Sequence, residues 1–214
     1  MEQLIDRNSA LRIIGELVES YVRRHHRAPR TIIVIGGTAM AMRRLRERSL
    51  DIDIFHPDDA FAEVARELEE RSGYRIDVTN RRTLWGEIAV LDIESDAEVM
   101  ETLEIEGFTV DIAAISPETL FVIKASSMRD KDRADLGAIM TATSPEKVIE
   151  RAGYLIGSLE YRYLKQEILA NILAEMQLVL LDAVSPSWFT HAPTLVRDFG
   201  DFITNEFGVV VEED

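Results

Sequence analysis

The chain has 214 residues, 46% of them hydrophobic, which is enough for one good core and a smaller appended one. Because it has no cysteine, disulfides, zinc–thiolate sites and thiol nucleophiles are excluded. The formal charge of −15 argues against binding of extended DNA, which requires clustered lysines and arginines. The sequence has no apolar run of about 18 residues, and its start carries acids, so we expect a cytoplasmic protein with no membrane segment.

The first part of the chain alternates helical and strand patterns. Apolar residues three and four apart predict a helix over 8–27, capped by Asn8 or Ser9. The run "TIIVIGG" predicts a buried strand turning into a helix over 38–47, and "LDIDIF" alternates as a second strand. The next segment, "HPDDAFAEVARELEERSG", predicts a helix with an aspartate cap that ends at Gly73.

The pattern changes from strands to helices along the second part. Three stretches are typical of strands, "YRIDVT", "WGEIAVLDI" and "FTVDIAAI", while "EVMETLEIEG" is ambiguous. From Pro117 the pattern is helical, almost continuously over 146–182, with a short final helix. We therefore predict an α/β (α+β) core domain over 1–115 and a C-terminal helical domain over 116–214.

Two aspartates on one strand are the first candidate site. Asp51 and Asp53 are two residues apart, so their side chains leave the same face of the "LDIDIF" strand. Like charges at this spacing repel each other unless a cation lies between them, and Mg²⁺ suits a few carboxylate oxygens completed by water and phosphates. The alternative is an ordinary exposed strand face, which often carries acids.

The glycines that end the preceding strand are the second candidate. Gly36 and Gly37 expose backbone N–H groups at the start of a helix, where a triphosphate can approach because no Cβ obstructs it, and Thr38 adds a hydroxyl. The alternative is a tight packing turn. Neither a Walker nor a Rossmann glycine motif occurs in the sequence.

The glycines and aspartates together resemble the signature of the polymerase-β-like nucleotidyltransferase superfamily. The matching elements are "IGGT" and "DID", with thirteen residues, 38–50, between glycine and aspartate. The resemblance implies a mixed sheet flanked by helices, a glycine turn that holds an NTP, and Mg²⁺ or Mn²⁺ on Asp51 and Asp53. It also implies a third metal-binding carboxylate on a later strand that helps to deprotonate the acceptor. Asp111 in "FTVDIAAI" is our candidate, and Asp92 is its rival.

A later block extends the resemblance. The segment "LFVIKASSMRDKDRADLGAIM" is similar to the "K…R.KD..D" block of nucleotidyltransferase-like toxins from abortive-infection and other toxin–antitoxin systems. By resemblance, Lys124 contacts the nucleotide phosphates, and Lys131, Asp132 and Asp135 form a second polar group beside the site. A salt-bridged helix hairpin is the alternative.

Two residues shortly before the aspartate motif also resemble those toxins. Arg48 and Ser49 match the arginine and hydroxyl of "R-[ST]-x-D-[IL]-D" in those toxins, which places both among the nucleotide-binding candidates. The expected function is Mg²⁺-dependent transfer of a nucleoside monophosphate from an NTP to a hydroxyl on RNA or protein, as a toxin with an antitoxin partner. The alternatives are a degenerate binding protein and a small-molecule transferase of the antibiotic-modifying type.

Overall fold

The chain forms two compact units, Met1–Ser116 and Pro117–Asp214. The computed structural model describes residues 4–79, 93–127, 129–157 and 159–211, with the side chains of all of these except Glu94 and Lys131. The first unit holds the strands and the second is helical throughout its described part, so the predicted α/β (α+β) class is confirmed. None of the helices in the described ranges is long and apolar enough to cross a membrane.

The first unit is built around a mixed sheet with helices packed against it. Its elements are β1 (Ile5–Asp6), α1 (Arg7–His25), β2 (Thr31–Val34), α2 (Gly36–Met42), β3 (Arg48–Ser49), β4 (Ile52–Phe55), α3 (Asp59–Ser72), β5 (Ile76–Thr79), α4 (Ile93–Asp96), β6 (Glu98–Ile105) and β7 (Phe108–Ala114).

The strand order decides which side chains can meet. The main sheet runs β5-β4-β2-β7-β6, and β1 pairs with β3 in a separate two-stranded ladder. β2 is antiparallel to β4 and parallel to β7, β4 is parallel to β5, and β6 is antiparallel to β7. The carboxyl ends of β2 and β7 therefore lie at the same sheet edge as the amino ends of β4, β5 and β6. We call this edge the glycine edge, because Gly36 follows β2 there.

Helix α1 follows from its apolar spacing but begins earlier than predicted. Its buried residues, Ile13, Leu17 and Tyr21 among them, recur at helical spacing. The cap is Asp6 rather than Asn8 or Ser9, because the extended backbone at Asp6 lets its carboxylate accept the Ser9 N–H at 2.8 Å. That hydrogen bond lowers the pKa of Asp6.

Helix α2 is shorter than the predicted helix over 38–47. It ends at Met42 because Arg44 adopts a left-handed conformation with φ 61°, and the Leu45 N–H bonds back to the Met40 carbonyl at 2.9 Å. This is the hydrogen-bond pattern that closes many helices. The chain is then free to form β3 before entering β4.

The other strand and helix predictions divide into three outcomes. Helix α3 starts at the Asp58 cap and ends before Gly73, whose φ is +74°, as the sequence predicts. The ambiguous stretch over 98–107 contains strand β6, which pairs with β7 across a turn at Glu106 and Gly107. The predicted strand "WGEIAVLDI" lies outside the described residues except for Ile93, and Asp92 lies outside them as well.

The second unit is a set of helices with a continuous apolar interior. Fully buried side chains such as Phe121, Ile149, Leu169 and Phe189 come from four different elements. The elements are α5 (Pro117–Ser127), a 3₁₀ turn (Asp130–Asp132), α6 (Arg133–Met140), α7 (Pro145–Gly157), α8 (Arg162–Leu180), a second 3₁₀ turn (Pro186–Phe189) and α9 (Pro193–Phe207).

A largely buried arginine ties α2 to the glycine edge. The Arg43 side chain is 11% exposed. Its guanidinium donates to the Ile115 carbonyl at 2.7 Å, to the Ala114 carbonyl at 2.9 Å and to Glu98 at 3.1 Å. The two carbonyls lie at the end of β7, so Arg43 joins α2 to that strand and holds the helix in position.

We expect Arg43→Met to lower the free energy of unfolding by about 2 kcal/mol, because charged hydrogen bonds to two carbonyls are lost. The exposed neighbour Arg44 provides the control, and Arg44→Met should change stability by no more than about 0.5 kcal/mol. Urea unfolding followed by circular dichroism measures both. Equal effects of the two substitutions would contradict this role for Arg43.

Candidate functional site

The glycine turn packs directly against an aspartate of β4. Gly36 has φ +55°, and a Cβ built on it would lie 2.3 Å from Oδ2 of Asp53. The Gly37 N–H donates to the same oxygen at 3.1 Å, and a Cβ on Gly37 would lie 2.5 Å from Oγ of Ser49. Gly36 is required because its backbone is left-handed and the Asp53 carboxylate occupies the space that a side chain would need, whereas a side chain at Gly37 would displace the Ser49 hydroxyl.

Thr38 holds the aspartate strand rather than facing outward. Its side chain is fully buried, its hydroxyl donates to the Asp51 carbonyl at 3.0 Å, and it accepts the Asp53 N–H at 2.9 Å. The single hydroxyl hydrogen is thus used within the protein. In this structure Thr38 does not point its hydroxyl hydrogen toward a phosphate position, as predicted, but uses it to link α2 to β4.

The two aspartates of "DID" come together as their spacing predicts. Asp51 and Asp53 are both half-buried, while Ile52 between them is fully buried on the opposite face. Ser49 is buried and its hydroxyl donates to Oδ1 of Asp51 at 3.3 Å. Arg48 is exposed on β3, where it pairs in register with Asp6. Ser49 therefore contacts the aspartate pair itself, whereas Arg48 lies on the surface beside it.

A further aspartate, which the sequence analysis did not select, is the cross-strand neighbour of Asp53. In the parallel ladder Asp53 is in register with Asp77, and Ile52 with Ile76. Both isoleucines are buried and Asp77 is exposed, so Asp53 and Asp77 leave the same, more open face of the sheet. The signal was present in "YRIDVT", where an aspartate stands between two β-branched residues, as in "FTVDIAAI".

The structure does not bring Asp111 to this pair. On β7, Asp111 is level with Thr31 of β2, whereas the Ile35 N–H bonds to the Asp53 carbonyl. Thr31 is four residues before Ile35, which directly follows β2. Asp111 therefore lies roughly 13 Å along the strand direction from the level of Asp53, toward the sheet edge opposite the glycine edge. Its carboxylate accepts the Thr102 hydroxyl at 2.8 Å. Asp111 is separated from Asp53 by the register of the sheet, which the sequence does not show.

The carboxylates present fit a magnesium ion only in combination with a substrate. Within the described ranges, no three histidine or acidic side chains are gathered as a ready metal site. Mg²⁺ is commonly held by one or two carboxylates plus substrate phosphates and water, and Asp51 and Asp53 supply that donor chemistry on one face. Asp77, beside Asp53, adds a third acid to the same surface.

Comparison with known proteins identifies the family. The family model described as "Nucleotidyltransferase of unknown function (DUF6036)" matches residues 9–153, which is more than half of the chain. The chain belongs to this nucleotidyltransferase family. Searches among curated proteins and among solved structures gave no match. The predicted membership of the nucleotidyltransferase superfamily is thereby confirmed, and the matched region contains the glycine turn, all four aspartates discussed above and the Lys124 block.

An arginine side chain also lies at the glycine turn. A Cβ on Gly37 would be 3.8 Å from Nη1 of Arg46, so the guanidinium stands beside the glycines. Arg46 is not among the residues predicted from the sequence. No motif marks it, and only the turn after α2 brings it back to Gly37.

The Lys124 block forms a buried charge cluster within the second unit. Lys124 is 6% exposed, and its ammonium donates to Asp132 at 2.8 Å and to Asp135 at 2.9 Å. The second Asp132 oxygen accepts from Arg129 at 2.5 Å and from Ser127 at 3.3 Å. Two of the three ammonium hydrogens are therefore used inside the cluster.

This cluster has clear electrostatic consequences. Burial alone raises the pKa of Asp132, but the hydrogen bonds and positive charges of Lys124 and Arg129 outweigh burial, so the pKa lies below its ordinary value. The sequence-based prediction groups Asp132 and Asp135 with Lys131, and the structure places both acids in an ion-pair network with Lys124. The side chain of Lys131 is outside the described part, and the phosphate contact expected of Lys124 stays a prediction.

We expect Gly36→Ala to be destabilising for two separable reasons. Left-handed backbone costs a non-glycine residue about 1–2 kcal/mol, and collision of the new methyl with Asp53 adds about 1 kcal/mol or more. Gly73 is the matched control, since its φ is +74° but its Cβ position is open. Gly73→Ala should therefore show the backbone cost alone in urea unfolding. If both variants lose equal stability, Gly36 is not pressed against Asp53.

We expect Asp132→Asn to cost about 3 kcal/mol at neutral pH, because it leaves a buried ammonium with one carboxylate. Since the folded pKa is lowered, the contribution of Asp132 is complete above its unfolded pKa of about 3.9 and is lost as the pH falls through the folded value. The stability difference from wild type should therefore shrink below about pH 4, as measured by urea unfolding across pH.

Asp130→Asn is the control for this experiment. The Asp130 side chain is 91% exposed and pairs with Arg133 at 3.3 Å, so its loss should cost about 0.5 kcal/mol or less. A difference between wild type and Asp132→Asn that stays constant down to about pH 3 would contradict an ionised, paired Asp132.

Proposed function

We propose that the chain is a Mg²⁺-dependent nucleotidyltransferase that moves a nucleoside monophosphate from an NTP to a hydroxyl group on RNA or protein. The observation that carries the proposal is the close packing of Gly36 and Gly37 on Asp53, beside Asp51, in a chain of a nucleotidyltransferase family. This packing puts backbone amides and two carboxylates on one small surface, where phosphates and a divalent cation can be held together.

The reaction is a displacement at the α-phosphorus of the NTP. The acceptor oxygen forms the new bond to phosphorus, the bond from that phosphorus to the oxygen bridging the α- and β-phosphates breaks, and pyrophosphate leaves with the electron pair. The hydroxyl proton passes to a carboxylate. When bound, Mg²⁺ supplies neutralisation of the charge on the phosphates and on the leaving group.

The carboxylates divide these tasks by position. Asp51 and Asp53 would hold the cation, with Ser49 orienting Asp51 and Gly37 orienting Asp53 through the hydrogen bonds described above. We assign the proton-accepting role to Asp77, because it is the acid beside Asp53 on the same face. Asp111, toward the opposite edge, is assigned no step.

Phosphate binding and metal binding are coupled in this arrangement. The Gly37 N–H, which the glycine motif would present to a phosphate, donates to Asp53 in the structure. A phosphate that takes this N–H frees one carboxylate oxygen of Asp53 for the cation. The positive charge of Arg46 beside Gly37 favours the phosphate at that point.

The decisive experiment compares aspartate variants in transfer of labelled NTPs, one nucleotide at a time, with Mg²⁺ or Mn²⁺ and total cell RNA and protein as acceptors. We expect Asp53→Asn to abolish labelling because a metal ligand is lost. Asp77→Asn should lower the rate about 10²-fold to 10⁴-fold, the usual contribution of a general base. Asp111→Asn is the control and should stay within about twofold of wild type.

Thermal unfolding with Mg²⁺ and each NTP separates binding from turnover. A ligand present at about 100 times its Kd stabilises the folded state by about 2.7 kcal/mol, and Asp53→Asn should lose that gain. Stabilisation without any labelling would favour the degenerate binding protein. If Asp111→Asn is inactive and Asp77→Asn is active, the assignment of roles by sheet register is overturned.

A further inference from the structure

The hydrogen-bond ladder between β2 and β4 is only half formed where it reaches the aspartates. In an antiparallel pair, two facing residues exchange both of their N–H···O bonds. The Ile35 N–H donates to the Asp53 carbonyl at 3.0 Å, which is one half of such an exchange. The Ile35 carbonyl instead accepts the Ala39 N–H at 2.9 Å, because the chain has turned into α2. The Asp53 N–H therefore needs another acceptor.

A threonine hydroxyl takes the place of the missing strand. Oγ1 of Thr38 accepts the Asp53 N–H at 2.9 Å and donates its hydrogen to the Asp51 carbonyl at 3.0 Å. These groups belong to the two peptide units on either side of Ile52. The Ile52 N–H donates away from Thr38, to the Arg75 carbonyl at 2.9 Å. One hydroxyl thus fixes both peptide units that join the aspartates.

The surroundings of Thr38 suit a positioning role and not a contact with substrate. The residue is fully buried, and its single hydroxyl hydrogen is already donated. A β-branched side chain in a helix also has few χ1 rotamers, so the backbone of α2 sets the direction of this hydroxyl. Thr38 therefore acts on a ligand only through the strand that it holds.

Holding the backbone matters because the two carboxylates repel each other. Asp51 and Asp53 leave the same face of β4, and like charges at this spacing separate unless the chain or a cation restrains them. Their side chains have one restraint each: Ser49 donates to Asp51 at 3.3 Å, and the Gly37 N–H donates to Asp53 at 3.1 Å. Thr38 supplies the restraint on the backbone between them.

We propose that Thr38 is the positioning residue of the candidate site. Its hydroxyl holds the peptide units on both sides of Ile52 and thereby keeps the Asp51 and Asp53 carboxylates where one divalent cation with a phosphate chain can be bound. The effect on cation binding requires no turnover. That the bound cation then serves nucleotidyl transfer rests on the proposed function.

Water proton relaxation with Mn²⁺ and inorganic triphosphate tests the proposal on the full chain, without a nucleoside and without turnover. Thr38→Val keeps the branched shape and removes the hydroxyl. It should weaken binding of the Mn²⁺–triphosphate complex about 10-fold to 100-fold, the usual effect of losing a group that orients metal ligands. Thr38→Ser should restore binding to within about threefold of wild type, because a hydroxyl is again present.

Thr119→Val is the matched control. Thr119 is also a buried threonine, 1% exposed, and its hydroxyl accepts the Arg151 Nε–H at 2.7 Å, but it lies in the second unit. Both valine variants lose a buried hydroxyl and should unfold at lower urea concentrations than wild type. Thr119→Val should nevertheless bind Mn²⁺ and triphosphate within about twofold of wild type, since distant sites act independently.

The proposal is overturned if wild type and Thr38→Val bind Mn²⁺ and triphosphate equally, or if the two valine variants lose equal affinity. It is also overturned if Thr38→Ser binds as weakly as Thr38→Val, or if wild type does not bind the complex. A wild type that binds the complex, loses it in Thr38→Val and labels no acceptor would support the positioning role and remove only the proposed transfer.

Discussion

The contact between Gly36 and the carboxylate of Asp53 is the constraint on which the candidate site depends. The carboxylate occupies the place of a Cβ at residue 36, and this fixes both the left-handed backbone there and the direction of the Gly37 N–H. Thr38 then joins α2 to β4 through the backbone on both sides of Ile52. The glycine turn and the aspartate strand therefore hold each other in position, so that a substitution in one is expected to displace the other.

The second constraint is sheet register. Strands β4 and β5 start at the glycine edge, so an acid near the start of either strand lies near the turn, whereas β7 ends there and carries Asp111 well before its end. The same local pattern, an aspartate between apolar residues, thus has different consequences on the two strands. The direction and the offset of each strand decide that Asp77, and not Asp111, lies beside Asp53, and both depend on long-range pairing.

Charges in the second unit are used in two different ways. Inside, Lys124, Asp132 and Asp135 are almost completely removed from water and compensate one another through short hydrogen bonds, which offsets the cost of burying ionised groups. Outside, Arg162 at the start of α8 lies between two exposed tyrosines in sequence. The first arrangement specifies how the helices pack, whereas the second leaves Arg162 exposed to solvent.

The sequence by itself determined the elements and the local chemistry. A β-branched run before the glycines indicated β2, alternation indicated β4, and helical spacing indicated α1 and α3. The glycine-to-aspartate spacing indicated the family. These signals are local and follow from backbone geometry. The tertiary structure alone decided the rest. It placed Asp77 beside Asp53, separated Asp111 from them, turned the Thr38 hydroxyl inward and brought Arg46 back to Gly37. The first three depend on pairings between residues distant in the chain, which no local pattern of residues encodes, whereas the position of Arg46 follows from the turn that ends α2.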